Sequence, residues 1–433
     1  MTTVNRRSSS SGSRSLTDDS ISIVLTYFVT ATSGMIFWVV AARVIPPHDL
    51  GVQTALISLV TAIGTVTAYG SGSAFKAMLS APGCRRTTRL IDGLGLTTAG
   101  ACILGGAGGF IASDLIGGRL ASALLVSSGS IAMALFVLKD AALVGLHGTR
   151  WLPAVNVMAV ALKVAIVCAL ANAVALSALW ATVVPAAVSA AVVFLVVVPG
   201  ILRRCTVREK PRAADNRLDR RSLGVFAVRD GVASTTSFGL ILVLPFLSTW
   251  VAGPIPGATV ALALAVAQVL DFVPDGVGSA LTAHMARDPG ALVGHLRRIW
   301  SVSQLLVFGG AIALGLASPV VGKIFGSAYS TREFITCLCL LSLGAVLRVP
   351  YSIWMSVLRA AMDTKTILRW NVTVFAISFP LTLFLIHEWG SIGACMGLVV
   401  SSLQLSGVAV WDLSRRFGVV PALRLWPRCR RSP

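Results

Sequence analysis

Charge is scarce in this sequence, and negative charge is scarcest. Of 433 residues only 12% are charged, and 17 Asp and Glu stand against 36 Lys and Arg. Soluble domains carry about 25% charged residues, so this composition cannot furnish an ordinary water-facing surface. Histidine is sparse too: there are five, and His48, His147, His295 and His387 fall in loops or at the ends of apolar runs. The eight Cys form no C-x-x-C pair and have no His at ligand spacing, so they read as small apolar residues with no disulfide framework or metal site indicated. No G-x-S-x-G, H-E-x-x-H or P-loop pattern is present, which argues against hydrolase chemistry and against ATP-driven transport by this chain alone. The expectation is a non-enzyme with no catalytic residues, no metal and no cofactor.

What is abundant is apolar surface. With 55% hydrophobic residues and a mean hydropathy of +0.83, the chain needs a bilayer as its solvent. The sequence predicts an all-α integral membrane protein of about twelve transmembrane helices. Residues 1–19 read as a disordered tail, 20–202 as a first six-helix bundle, 203–222 as a basic linker, 223–412 as a second six-helix bundle and 413–433 as a basic tail. The first apolar run, Ser20 to Arg43, is long enough to span and precedes many like it, so it reads as a retained helix rather than a signal peptide. Further spans are predicted over Leu50–Ala77, Leu90–Ala112, Leu120–Leu146, Pro153–Val174 and Leu176–Leu202. In the second half they are Phe226–Val251, Gly257–Met285, Trp300–Pro319, Ile335–Leu358, Trp370–Ile386 and Gly390–Trp411.

The basic residues orient these helices, because Lys and Arg in short loops resist translocation. With both ends inside, the cytoplasmic segments hold 29 of the 36, including Lys139 and Arg150 around the turn between helices 4 and 5. The other side holds four: Arg43, Arg119, Lys323 and Arg332. The net charge of +19 is thereby accounted for by loops facing an anionic leaflet, and no nucleic-acid partner is expected. Trp250, Trp300, Trp370, Trp389 and Trp411, at span ends, read as interface anchors. The localisation expected is a bacterial inner membrane, crossed many times.

The halves repeat. At an offset of 206, Gly51–Leu79 aligns without a gap on Gly257–Met285, with nine of 29 positions identical, among them Gly51 with Gly257 and Leu56 with Leu262. Both segments are the second helix of their half, as a duplicated six-helix unit requires. Two parallel bundles suit alternating access about a site between them.

Ionisable groups inside hydrocarbon cost about 2.5–3.5 kcal/mol each on insertion scales, so those within spans are candidate functional residues. Lys163 and Arg348 are cations suited to hold phosphate in a cavity. Asp271 and Asp275 lie four apart on one face of a helix that Pro274 should kink, and could exchange a proton or Na⁺. Equally open is a structural ion pair of Asp271 or Asp275 with Arg348 or Lys163. Arg229 and Asp230 mark the cytoplasmic mouth.

Three stretches carry a family resemblance. They are Ala42-Arg43-Val44-Ile45-Pro46-Pro47-His48-Asp49-Leu50-Gly51, then Ile324-Phe325-Gly326-Ser327-Ala328-Tyr329, then Leu358 to Lys365 followed by Gly390-Ser391-Ile392-Gly393-Ala394. Together with the helix count and the basic linker they resemble the polysaccharide flippases, the Wzx-type O-antigen and exopolysaccharide translocases of the MOP superfamily. Asp49-Leu50 departs from the family's commoner acidic-aromatic pair, as in a divergent branch. The resemblance implies a lipid-linked glycan on a polyprenyl diphosphate, turned from the cytoplasmic to the outer leaflet through a cationic cavity. It implies as partners membrane lipids and the polysaccharide polymerase or glycosyltransferases of the same pathway. Two rivals stay open: a carrier of small molecules or drugs, and a membrane-embedded glycosyltransferase or polymerase. The loop Lys76 to Arg89 lacks the G-x-x-x-D-R pattern of major facilitators, and no large extramembrane loop suits an enzyme.

Overall fold

The computed structural model describes residues 34–80, 86–146, 148–170, 173–206, 220–274, 292–361 and 363–417. Among them every regular element is a helix. The first half runs α1 (Gly34–Val44), α2 (Pro47–Ser80), α3 (Arg86–Ile111), α4 (Arg119–Gly145), α5 (Leu152–Leu170) and α6 (Ser177–Val192). Helix α6 continues through a π turn, Val193–Val197, into Val198–Thr206. The second half runs α7 (Arg220–Ala252), α8 (Pro254–Ala267), α9 (Leu292–Phe325) and α10 (Arg332–Ala360). A helical run over Thr364–Phe417 then closes the described chain.

Ten stretches of the described residues are long and apolar enough to cross a membrane. The longest of them is two helices. Gly390, at φ +56° and ψ −127°, reverses the run into arms 364–389 (α11) and 391–417 (α12). A Cβ on Gly393 would stand 1.8 Å from the Leu385 carbonyl oxygen, so only glycine lets the two backbones pack this closely. With both arms counted, eleven such helices and the shorter apolar α1 lie among the described residues, in the expected all-α membrane fold. Asp363 starts α11 by accepting the Thr366 N–H at 3.3 Å, a Ser/Thr/Asx-type cap.

Helix α2 is the centre of the packing. It lies against α3, α4 and α6 of its own half and against α7 and α8 of the other. The repeat is visible in burial: Leu56 and Val60 in α2 and their partners Leu262 and Val266 in α8 are buried in one core, and Ala55 and its partner Ala261 are buried too. That core gathers α1, the first part of α2, the end of α7, α8, Phe325, Phe334 and Ala394, which is the extracytoplasmic side by the charge rule. Toward the cytoplasm the buried apolar residues divide. Leu79, Leu138, Leu143 and Leu152 form a cluster in the first half, and Leu296, Val349, Trp354 and Leu413 form another in the second.

Two expectations need correcting. Lys139, counted with the cytoplasmic basic residues near a turn, is instead enclosed: it sits in α4 with none of its surface exposed. Trp300, expected at an interface, is 7% exposed and packed in the second half's inner core. Both errors come from hydropathy, which sees span ends but not what a neighbouring helix covers.

Candidate functional site

The two halves are clasped, at the end that the charge rule makes extracytoplasmic, by the turns that carry the resemblance. Arg43, at the end of α1, donates from Nε to the Ile324 carbonyl at the end of α9, 2.9 Å away. Gly51 lies so close to α8 that a Cβ there would stand 1.9 Å from the Pro254 carbonyl oxygen. Its repeat partner Gly257 is as crowded, 1.8 Å from Thr249 Oγ1, which itself donates to the Gly51 carbonyl at 3.3 Å. Pro47 and Pro254 begin α2 and α8, where a missing N–H costs nothing and a fixed φ favours the helix. The Phe325 to Tyr329 turn folds under this clasp. Gly326 takes φ +128°, and Tyr329 packs its ring against Phe334, with burial pushing its phenol up to about 12.

Further along, Ser58 donates to the Leu242 carbonyl of α7, in the turn that precedes Pro245. The halves touch again where α2 and α7 pass backbone to backbone at Gly70 and Gly231. Arg229 and Asp230 adjoin that crossing on α7, and the Asp230 side chain is outside the described residues.

The membrane-embedded charges are arranged unequally. Arg348 of α10 is 7% exposed and holds Asp271 with a fork, Nη2 at 2.7 and 2.9 Å from the two carboxylate oxygens and Nε at 3.2 Å from one. Its Nη1 donates to Ser402 of α12 at 3.3 Å. Asp271 ends a 3-10 turn, Gln268–Asp271, that continues α8. The turn tightens there because Pro274 lacks the N–H that would bond the Leu270 carbonyl. Asp271 is the more accessible partner, its side chain 23% exposed against 9% for Arg348. Asp275 lies outside the described residues.

Pro350 breaks the ladder of α10 beside Arg348, and the vacancy is filled from outside. A proline at 350 cannot donate to the Val346 carbonyl, and Gln304 of α9 does so at 3.1 Å. Ser406 of α12 bonds the neighbouring Leu347 carbonyl. Arg348 is thus mounted beside a proline whose freed acceptor is satisfied by an adjacent helix.

Lys163 is placed apart from this pair. It projects from α5 onto α1, with its ammonium 3.8 Å from the Phe37 ring centre and 5.7 Å from Trp38. Among the described residues it forms no ion pair. Sequence reasoning missed a third embedded cation, Lys139, which bonds Asn156 of α5 at 2.9 Å and Asp140 at 2.6 Å and lies over the Phe136 ring. Also missed was Glu333, at the start of α10, which accepts from Ser391 just beyond the Gly390 reversal.

No family model matches the sequence, and no curated protein matches it either. Solved structures do match along nearly the whole chain. An inward-facing multidrug resistance MATE family transporter of the MOP superfamily superposes with a TM-score of 0.62 at 14% identity, covering 90% of this chain and 94% of its own. The lipid II flippase MurJ, in an inward closed conformation, gives 0.64 at 12% identity over 91% and 87%. The MATE multidrug transporter DinF-BH, in complex with R6G, gives 0.62 at 13% over 93% and 95%. At these identities the likeness is one of fold. This chain is an all-α, multi-pass membrane protein with the fold of the MATE transporters of the MOP superfamily and of the lipid II flippase MurJ.

Proposed function

We propose that the protein is a transporter that turns a polyprenyl-diphosphate-linked oligosaccharide from the cytoplasmic to the outer leaflet of a bacterial inner membrane, for cell-surface polysaccharide biosynthesis. The observation that carries this reading is the difference between the two sides. The halves share one buried core and a clasp outside, whereas inside their apolar cores are separate and the halves meet where α2 and α7 cross at Gly70 and Gly231. This asymmetry supports a carrier that takes its cargo from the cytoplasm, in which alternating access exchanges which end is closed. The turns that build the clasp are the ones that resemble the polysaccharide flippases, which supports a lipid-linked glycan as cargo.

In this reading Arg348 and Lys163 are the cations for the diphosphate, and Asp271 and Asp275 the carboxylates that exchange a cation. Asp271 now occupies the fork of Arg348. A proton or Na⁺ reaching Asp271 releases the guanidinium, whose two parallel donors fit a phosphate. Lys163 waits against aromatic faces, which hold an ammonium without neutralising it. Arg229 and Asp230 line the cytoplasmic mouth, and polymerase or glycosyltransferases of the pathway act on either side of the step.

The likeness to multidrug transporters favours a second reading, a cation-coupled carrier of small molecules. The test is the pool of lipid-linked glycan in cells lacking the protein, resolved by leaflet with an impermeant glycosidase. Accumulation of carrier-bound glycan on the cytoplasmic side is the expected result. An unchanged pool with intact surface polymer overturns the flippase reading in favour of the small-molecule carrier, and an unchanged pool with lost polymer points to a polymerase.

A further inference from the structure

At the cytoplasmic end of the α11–α12 hairpin is an open cavity of about 430 Å³, lined by Thr366, Arg369, Trp370, Trp411, Arg415 and Arg416, with Asp412 in its wall. Its volume falls among those that hold small ligands. The lining is unlike the apolar shafts below it, and its charges are already partly sorted. Arg416 is spent on structure, since it donates to Asp412 and Asp363 at 2.9 Å each. Asp412 is spent as well, since it also takes the Trp354 indole N–H at 2.8 Å. Both acidic groups near the cavity are therefore engaged, and neither is left to neutralise an incoming cation or to repel an anion strongly.

Two guanidinia remain. Arg369 is exposed and forms no ion pair among the described residues, and Arg415 lies 5.1 Å over the Trp411 ring, a contact that orients the fork without cancelling its charge. Trp370 and Trp411 meet edge to face at 5.8 Å. Paired indoles at a span end sit at headgroup depth, with an apolar edge toward the acyl chains and a polar edge toward water. The cavity thus stands where the inner leaflet's phosphates lie, and it presents two unneutralised forks with no free carboxylate.

We propose that this cavity binds the headgroup of an anionic inner-leaflet phospholipid, its phosphodiester held between Arg369 and Arg415 and its glycerol backbone against the Trp370–Trp411 pair. The site is distinct from the Arg348–Asp271 pair and does not rest on the transport reading.

The test is competition in native mass spectrometry, with the full-length protein in detergent and equal amounts of phosphatidylglycerol and phosphatidylcholine. Wild type should retain phosphatidylglycerol in preference. R369Q/R415Q should lose about 30-fold of that preference, from two basic contacts at a membrane surface. R369K/R415K, which keeps the charge, should retain most of it. Inorganic phosphate at the same concentration should not displace the lipid. Equal retention of both lipids by wild type overturns the proposal, as does unchanged preference in R369Q/R415Q. Displacement by inorganic phosphate also overturns it, in favour of a soluble phosphate ligand.

Discussion

Arg43 and Ile324 lie 281 residues apart and are joined by a 2.9 Å hydrogen bond from the guanidinium of one to the carbonyl of the other. Each belongs to a stretch that resembles the polysaccharide flippases, and together they bridge the two halves where the shared core lies. The bond is exposed and single, so it contributes on the order of 1 kcal/mol. That is the scale on which a gate must be held if it is also to open. Beneath it, the contact of Gly51 with Pro254 is steric and far less forgiving.

The clasp predicts how the halves separate. Gly51→Ala places a Cβ where the Pro254 carbonyl stands, so the closed arrangement should give way, whereas Arg43→Ala should raise the open population only about fivefold. Spin labels at positions 114 and 327, in extracytoplasmic turns of the two halves, report the distance. A distribution in Gly51→Ala identical to that of wild type would show that the clasp does not hold the halves.

The embedded ion pair predicts a coupled response. Removing one partner leaves a charge in a place poor in water, whereas removing both leaves only two neutral polar groups. Asp271→Asn and Arg348→Gln should each lower thermal stability, and the double variant should recover part of the loss. The coupling should be about 1–3 kcal/mol in a double-mutant cycle in detergent. Transport of the cargo should be lost in all three. Additive losses of stability would mean that the fork seen between Arg348 and Asp271 contributes nothing.

The proline in α10 predicts a dependence between Gln304 and Pro350. Gln304→Leu strands the Val346 carbonyl and should cost about 1–2 kcal/mol. In a Pro350→Ala background the new N–H at 350 can bond that carbonyl within the helix, so the same substitution should cost much less. Unfolding midpoints of the four proteins decide the matter, and equal costs in both backgrounds would exclude Gln304 as the proline's substitute.

At the cytoplasmic end, Asp363 predicts a pH effect. Partial burial works against its charge, but hydrogen bonds from Arg416 and Thr366 outweigh it and hold the carboxyl below its ordinary value of 3.8. A carboxyl lowered on folding stabilises above its unfolded value and loses that contribution as pH falls through the folded one. Wild type should therefore unfold at a higher temperature than Asp363→Asn at about pH 6, with the gap closing toward about pH 3. A gap that does not change with pH would assign the effect to the helix cap alone.

Much of this architecture was legible in the sequence because its causes are local. Runs of apolar residues define helices whatever surrounds them, and basic residues in short loops set direction one loop at a time. The repeat of Gly51 and Gly257 also anticipated two equivalent helices. Nothing local, however, tells Asp271 whether to pair with Arg348 or with Lys163. The choice follows from the tightened turn at the end of α8, which aims the carboxylate at α10 across 77 residues of sequence. Lys139 looked like a topology signal because it stands near a span end, and only the approach of Asn156 from α5 shows it to be enclosed. Hydropathy patterning thus determined the all-α, many-helix character of the fold. Tertiary packing alone decided which charges meet, because an ion pair is settled by the distance between two helices and hydropathy does not encode that distance.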